Sequence, residues 1–390
     1  MRSLLTITLL CWLRLHGQQW TQLPDFPGTP RDDAAAFTAV NGVYVGTGLD
    51  NGFQYTNDWY FFSMSEWAWS TVASLPASGR QYACAFAMEE NGYLFGGVDA
   101  SGPLNELWCY NTTTDTWTER TPLPGQGRYA SAVFTIGDKA YVCTGMFSGG
   151  IPTNEVWEYD HVTDTWTQRA PVPGAARHRA SAIMNMIAGG ADADGNALAD
   201  VHAYSPATNT WITQSAMPGA RYAAEAAENL IIGGASSPTT LHAEAWSYDT
   251  VGDTWNSNAL PPFPGGPRRG AVSAPNLYLM DVGMVFYGTG SDNQQRFNDW
   301  WTLTFPVGMG ERTSPSMVMY PNPTTDRVTI TGLPAFGKVR LRLLDNQGRE
   351  VRQWEQGADA IEVGDLAAGH YQLIVETLEQ PVFLRLIKTP

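Results

Sequence analysis

The sequence predicts an all-β chain: six repeats of one four-stranded unit closed into a ring, followed by a small antiparallel β-sandwich. Three observations carry that prediction. The composition, with 39 Gly, 25 Pro and 15 Trp but only 16% charged residues, suits short strands, tight turns and large aromatic packing residues. Two residue series keep one rhythm through most of the 390 residues, and the patterning changes after Pro306. Length alone leaves the domain count open, since a single closed all-β structure can use most of such a chain.

Residues 1–17 read as a signal peptide. Arg2 gives a positive start, Leu4 to Leu13 an apolar run, and cleavage is expected near Gly17. A membrane anchor needs about 18 apolar residues, and Arg14 interrupts this run. Bulky Leu10 before Cys11 argues against a lipoprotein, and no later segment is long and apolar enough to span a membrane. Beyond the signal, Cys84, Cys109 and Cys143 lie in strand-like runs without CxxC spacing. They read as buried thiols rather than as a disulfide framework or a zinc site.

The repeat is read from residues 18–305. Trp20, Trp69, Trp117, Trp166, Trp211 and Trp255 follow one another at intervals of 49, 48, 49, 45 and 44. Arg31, Arg80, Arg128, Arg177, Arg221 and Arg268 do so at 49, 48, 49, 44 and 47. A period of this size marks a propeller or solenoid. Each unit reads Arg, a small-residue run, an apolar run ending in Gly, a variable loop, an aromatic run, a polar turn and Trp. In unit two these are Ala83 to Met88, Tyr93 to Gly97, Leu107 to Tyr110 and a strand beginning at Trp117. Small residues suit an inner strand crowded at the axis, terminal glycines permit a bend, and the spaced Trp can fill the wedge between neighbouring sheets.

With Gly-Gly closing one strand, a downstream Tyr and a spaced Trp, these units resemble the kelch repeat, which implies a six-bladed β-propeller. Units one, three and six depart from it by reading Thr-Gly. Unit six ends at Phe297 to Leu303 without a fourth-strand Trp, while Trp20 precedes the first Arg with no strands of its own. Gln19 to Leu23 is therefore expected to supply the outer strand of the last blade, leaving no open edge.

Residues 306–316 read as a linker rich in Pro, Gly, Ser and Thr. Residues 317–390 hold short, mostly alternating strand candidates, among them Val328 to Ile330, Val339 to Leu344 and Tyr371 to Glu376. Tyr320-Pro321-Asn322-Pro323, Gly369, Tyr371 and Lys388 make this tail resemble the type A sorting domain of the type IX secretion system of Bacteroidota. The resemblance implies export to the cell surface or medium and the secretion machinery as a partner.

The net charge of −15 is concentrated ahead of the tail, and such an acidic field repels phosphate backbones, so no nucleic-acid partner is expected. Antiparallel geometry puts the six arginines and the variable loops at one end of the blades. That rim, with Arg31, Arg80, Arg128, Arg177, Arg221 and Arg268, is the candidate ligand-binding site; set against it, and favoured, is the reading in which the arginines secure blade ends by hydrogen bonds to carbonyls. His178 and His242 approach the rim without carboxylate support for a metal. Asp192 to Asn196 offers oxygen ligands but departs from a calcium-binding EF-hand loop at Ala197 and Ala203. No catalytic set is assigned and no cofactor is expected. Two function classes follow: an extracellular binding or adhesion module for a glycan or protein, or a carbohydrate-active enzyme similar to the kelch-fold sialic acid mutarotases.

Overall fold

A computed structural model describes residues 18–39, 42–258, 260–275 and 282–306, and in the tail 318–320, 324–331, 340–345, 349–355, 360–376 and 382–389. Residues 1–17, where the signal peptide is expected, most of residues 306–316, and Pro321, Asn322 and Pro323 lie outside these. The chain forms two compact units, Met1–Val307 and Gly308–Pro390.

The first unit is a six-bladed β-propeller. Blade 2 shows the plan: Cys84–Met88 nearest the axis, then Asn91–Phe95, Leu107–Asn111 and Thr116–Arg120, all antiparallel and joined in that order. Blades 1, 3, 4 and 5 repeat it, beginning at Ala35–Ala39, Ala132–Ile136, Ser181–Ile183 and Glu225–Ala227. Blade 6 has Val272–Pro275, Val282–Gly288 and Trp300–Pro306, and its fourth strand is Gln19–Leu23. The pairing Trp20↔Leu303 and Leu23↔Trp300 bears out the expected closure by the N-terminal strand.

The spaced tryptophans join blades, as their wedge role requires. Each indole Nε1 donates to a carbonyl of the preceding blade or its exit: Trp69 to Pro24, Trp117 to Ala73, Trp166 to Thr121, Trp211 to Ala170 and Trp255 to Ser215, at 2.8–2.9 Å. Trp20 closes the series on Pro261 at 3.0 Å. The rings also pack across the junctions, with Trp117 5.2 Å from Trp59 and Trp166 5.6 Å from Phe95.

The glycines ending the second strands hold left-handed backbone, as at Gly96 (φ 63°) and Gly97 (φ 93°). A Cβ on Gly97 would stand 2.9 Å from the Gln81 carbonyl oxygen. Thr47, Thr144 and Thr289 keep the same conformation in blades 1, 3 and 6, at φ 57°, 62° and 57°, despite β-branching. The tail is a small antiparallel sandwich. A three-stranded and a four-stranded sheet enclose a core that includes Val328, Ile330, Leu341, Leu343, Ile361, Leu373 and Val375.

Candidate functional site

The six arginines stand at the loop-bearing ends of their blades, but their guanidinium groups are used inside the protein. Arg31, Arg80, Arg128, Arg177 and Arg268 are at most 1% exposed and Arg221 7%. Each faces an acidic residue that immediately precedes the third strand of its own blade: Asp58, Glu106, Glu155, Asp200, Glu244 and Asp299. Five pairs measure 2.6–2.8 Å and Arg221–Glu244 3.6 Å. Arg31, Arg80, Arg177 and Arg268 also donate Nη1 to the carbonyl ending the second strand, at Thr47, Gly96, Gly189 and Thr289. Burial works to raise the Asp58 and Glu155 carboxyls, but the bonds and charge around them, those of Arg31 and Arg128 included, outweigh it and hold both below their usual range. This geometry supports the reading in which the arginines fasten blade ends. The acid before each third strand recurs at all six positions in the sequence, but the Trp and Arg spacings that define the repeat do not draw on it.

The next two positions after each arginine form the mouth of the central channel. Asp33, Tyr82, Ala130, Arg179, Ala223 and Gly270 all have φ between 49° and 58°. Their amides donate around a closed ring, Asp33 to Gly270, Gly270 to Ala223, Ala223 to Arg179, Arg179 to Ala130, Ala130 to Tyr82 and Tyr82 to Asp33, at 2.7–3.3 Å. Left-handed backbone costs a side-chain-bearing residue about 1–2 kcal/mol, and the ring of bonds over-determines it here. A Cβ at Gly270 would meet Asp33 Oδ1 at 2.4 Å, so blade 6 uses glycine.

Small residues at three of these positions leave space that Arg179 fills. Its Nη2 lies 3.1 Å from both Asp33 carboxylate oxygens and donates to the Tyr82 hydroxyl at 2.6 Å, with the guanidinium 4.5 Å over the Tyr82 ring. Burial pushes Asp33 up to about 6 while Arg179 pulls it down, so the pair is ionic at neutral pH. Below lies a cavity of about 210 Å³, lined largely by alanines of the first strands together with Ser131, Ser181, Ser273 and Glu225.

Around the mouth stand Asp32, Gln81, Tyr129, His178, Tyr222 and Arg269, each paired through its backbone with the variable loop of its blade. Asp32 is tied to Arg296 at 2.6 Å, and the Tyr129 ring lies 5.7 Å from that of Tyr82. Burial, then Arg179, lowers His178 to about 4, leaving a neutral imidazole. His178 Nδ1 and Gln81 Oε1 are buried without a hydrogen-bond partner among the described residues. Arg269 has no ion pair among those residues. The sequence reading named His178 but missed the others, although counting one and two places beyond each arginine finds the whole set. His242 bonds Ser236 and Glu244 within its own loop. The Asp192 carboxylate accepts the amides of Asp194 and Asn196, which makes that loop a closed turn.

In the tail, Tyr320 ends the strand Val318–Tyr320. Gly369 pairs with Lys388 across the sheet, Lys388 bridges Thr324, and the Tyr371 hydroxyl donates to the Ala367 carbonyl at 2.9 Å. Gly369, Tyr371 and Lys388 therefore lie toward one end of the four-stranded sheet, whereas Tyr320 lies in the three-stranded one.

Fold and repeat together define a kelch-repeat β-propeller protein with a C-terminal secretion sorting domain. Residues 5–187 match the family described as "KLHDC2/KLHL20/DRC7 Kelch-repeats domain", and residues 318–389 match "Secretion system C-terminal sorting domain". The chain is similar to Kelch-like protein 35 of Homo sapiens, 33% identical over 138 residues, which is 35% of this chain and 22% of that protein. It is similar also to the N-acetylneuraminate epimerase of Shigella sonnei, 26% identical over 127 residues, 31% of this chain and 34% of that enzyme. The chain thus spans between about a fifth and a third of the curated relatives it matches. Its fold is that of the solved structure "Structure of YjhT", with a TM-score of 0.60 at 16% identity over 71% of this chain and 95% of the other. The sorting tail marks an exported protein that engages the type IX machinery.

Proposed function

We propose that the propeller is an extracellular binding module that takes a glycan or protein ligand over its axial mouth. The carrying observation is a contrast within the repeat. The arginine and its acidic partner recur in all six blades, whereas the two positions beyond differ from blade to blade and present Tyr82, Tyr129, His178, Tyr222 and Arg269 at one mouth. Unpartnered His178 Nδ1 and Gln81 Oε1 are the kind of buried polar group that a ligand satisfies. Residues 18–305 act as this module, residues 1–17 as a cleaved signal peptide, 306–316 as the linker and 317–390, with Tyr320 to Pro323 at its start, as the sorting domain.

The test is a glycan array and a surface-protein pull-down with the exported protein, run beside Tyr129→Ala and Arg269→Ala. Both variants are expected to fold and to lose ligand; retained binding in both removes the mouth as the site. The similarity to N-acetylneuraminate epimerase supports a second reading, a carbohydrate-active enzyme. Acceleration of sugar mutarotation by the native protein would favour it over binding alone. Export is tested by truncation after Pro306: the shortened chain is expected to fold and stay in the periplasm, while the full chain reaches the surface or medium. Equal export of both would remove the sorting role.

A further inference from the structure

The mouth of the channel keeps one positive charge that its own acids leave unpaired. Arg179 pairs with Asp33 and Arg296 with Asp32. Burial raises the Asp33 carboxyl, and Arg269 stands near enough to oppose that rise, after Arg179. Arg269 is only half-buried, and no acid lies within ion-pair distance of it among the described residues. The acids of the surrounding loops are occupied: Asp50, Asp99, Asp192 and Asp292 each accept amides of their own loops at 2.7–3.0 Å. In the cavity below, burial, with Asp33 second, pushes Glu225 up to about 8 against the bonds it takes from Ser273, so it is neutral at neutral pH. A chain of net charge −15 thus presents a lone cation at this one mouth.

The groups beside Arg269 are polar on one side and aromatic on the other. In ring order it follows Tyr222 of blade 5 and His178 of blade 4, whose Nδ1 is buried without a partner among the described residues. On blades 2 and 3, the hydroxyl of Tyr82 accepts from Arg179 and that of Tyr129 donates to Met146 Sδ at 2.8 Å. What these two half-buried tyrosines offer a ligand is therefore ring surface. The main chain offers no donors: beyond the closed ring of amides, those of Gln81, Tyr129, His178, Tyr222 and Arg269 donate to Val98, Met146, Ala191, Ala235 and Ser291. A peptide that binds by backbone pairing finds no edge here. Polar side chains beside an aromatic surface suit the hydroxyls and the apolar face of a sugar.

We propose that the ligand of the mouth is an acidic saccharide, its carboxylate or sulfate held by Arg269 while a sugar face lies against Tyr82 and Tyr129. The proposal rests on the reading of the mouth as a ligand site. A guanidinium is always charged and matches either anion with two parallel N–H groups.

The experiment measures binding of the exported protein to oligogalacturonate, oligoalginate and sulfated oligogalactan, each beside its methyl-esterified or desulfated form. Native protein is expected to bind at least one acidic member about tenfold or more tighter than its neutral counterpart, and the pair that responds identifies the anion. Arg269→Gln is expected to level that pair, and Arg269→Lys to restore part of the preference. The paired comparison uses native protein alone, so it decides even where a variant does not fold. Equal binding within every pair, lost in Tyr129→Ala, overturns the proposal and leaves the mouth as a ligand site. An acid preference that survives intact in Arg269→Gln also overturns it. So does absence of binding to every member, in which case the surface-protein pull-down decides whether the mouth binds anything.

Discussion

The Arg179 guanidinium lies 3.1 Å from both carboxylate oxygens of Asp33, joining blade 4 to blade 1 across the mouth of the channel. Both side chains are largely buried, at 12% and 7% exposure. Removing one partner of a buried ion pair leaves the other charge uncompensated, at a cost of about 3–5 kcal/mol. Arg179→Met and Asp33→Asn are each expected to lower the urea midpoint strongly, and the double variant to lose much less than their sum. Additive losses in the double-mutant cycle would show that the pair is not coupled.

The blade-fastening arginines make a different prediction. Arg177 donates to Asp200 through Nη1 and Nη2 at 2.7 Å and also to the Gly189 carbonyl, at 0% exposure. Arg177→Ala leaves Asp200, which is 36% exposed, with His202 Nε2 as its remaining side-chain partner and takes the donor from that carbonyl, and is expected to destabilise by about 1–3 kcal/mol. A variant of native stability that fails to bind ligand would return Arg177 to the binding rim.

Closure of the ring rests on Trp20, which is 9% exposed, packs edge-on to Phe263 at 5.0 Å and donates to Pro261. Trp20→Ala is expected to cost about 3–5 kcal/mol. Deleting residues 18–24 should expose the Trp300–Pro306 edge and promote association. Unchanged melting temperatures for both would rule out this strand as the closing element.

Glu225 sets a pH dependence. Its folded pKa is raised from 4.5 to about 8, so between those values the native state binds more protons than the unfolded chain. Stability then falls as pH rises through that window, and the loss is complete above it. At constant ionic strength, native protein is expected to lose up to a few kcal/mol from pH ~5 to ~9, and Glu225→Gln to lose clearly less. Parallel stability curves for the two proteins would contradict this.

Thr47, Thr144 and Thr289 hold left-handed backbone with buried hydroxyls that lack partners among the described residues. Relief of that strain and of the unsatisfied oxygen outweighs the loss of the buried β-carbon and methyl group and the added freedom of the unfolded chain, so each Thr→Gly change is expected to stabilise by about 0.5–1 kcal/mol. Denaturant midpoints that fall instead would mean the methyl packing dominates.

The sequence by itself determined the repeat, the blade order and the closing strand. Each follows from local chemistry repeated at a fixed period: small residues at the axis, Gly where φ is positive, and Trp at the junctions, with Trp20 left over to complete blade 6. It also determined that the arginines share one face with the loops. It could not tell whether their guanidiniums look outward or inward, because that depends on an acid some 23 to 31 residues later in the same blade. Only the tertiary structure brings Asp33 and Arg179 together, since they lie 146 residues apart and meet because the ring folds blade 4 back opposite blade 1. The same closure isolates Glu225 from every cationic side chain described here. Periodicity fixes what each blade does alone, whereas the mouth and the channel exist only where six blades converge.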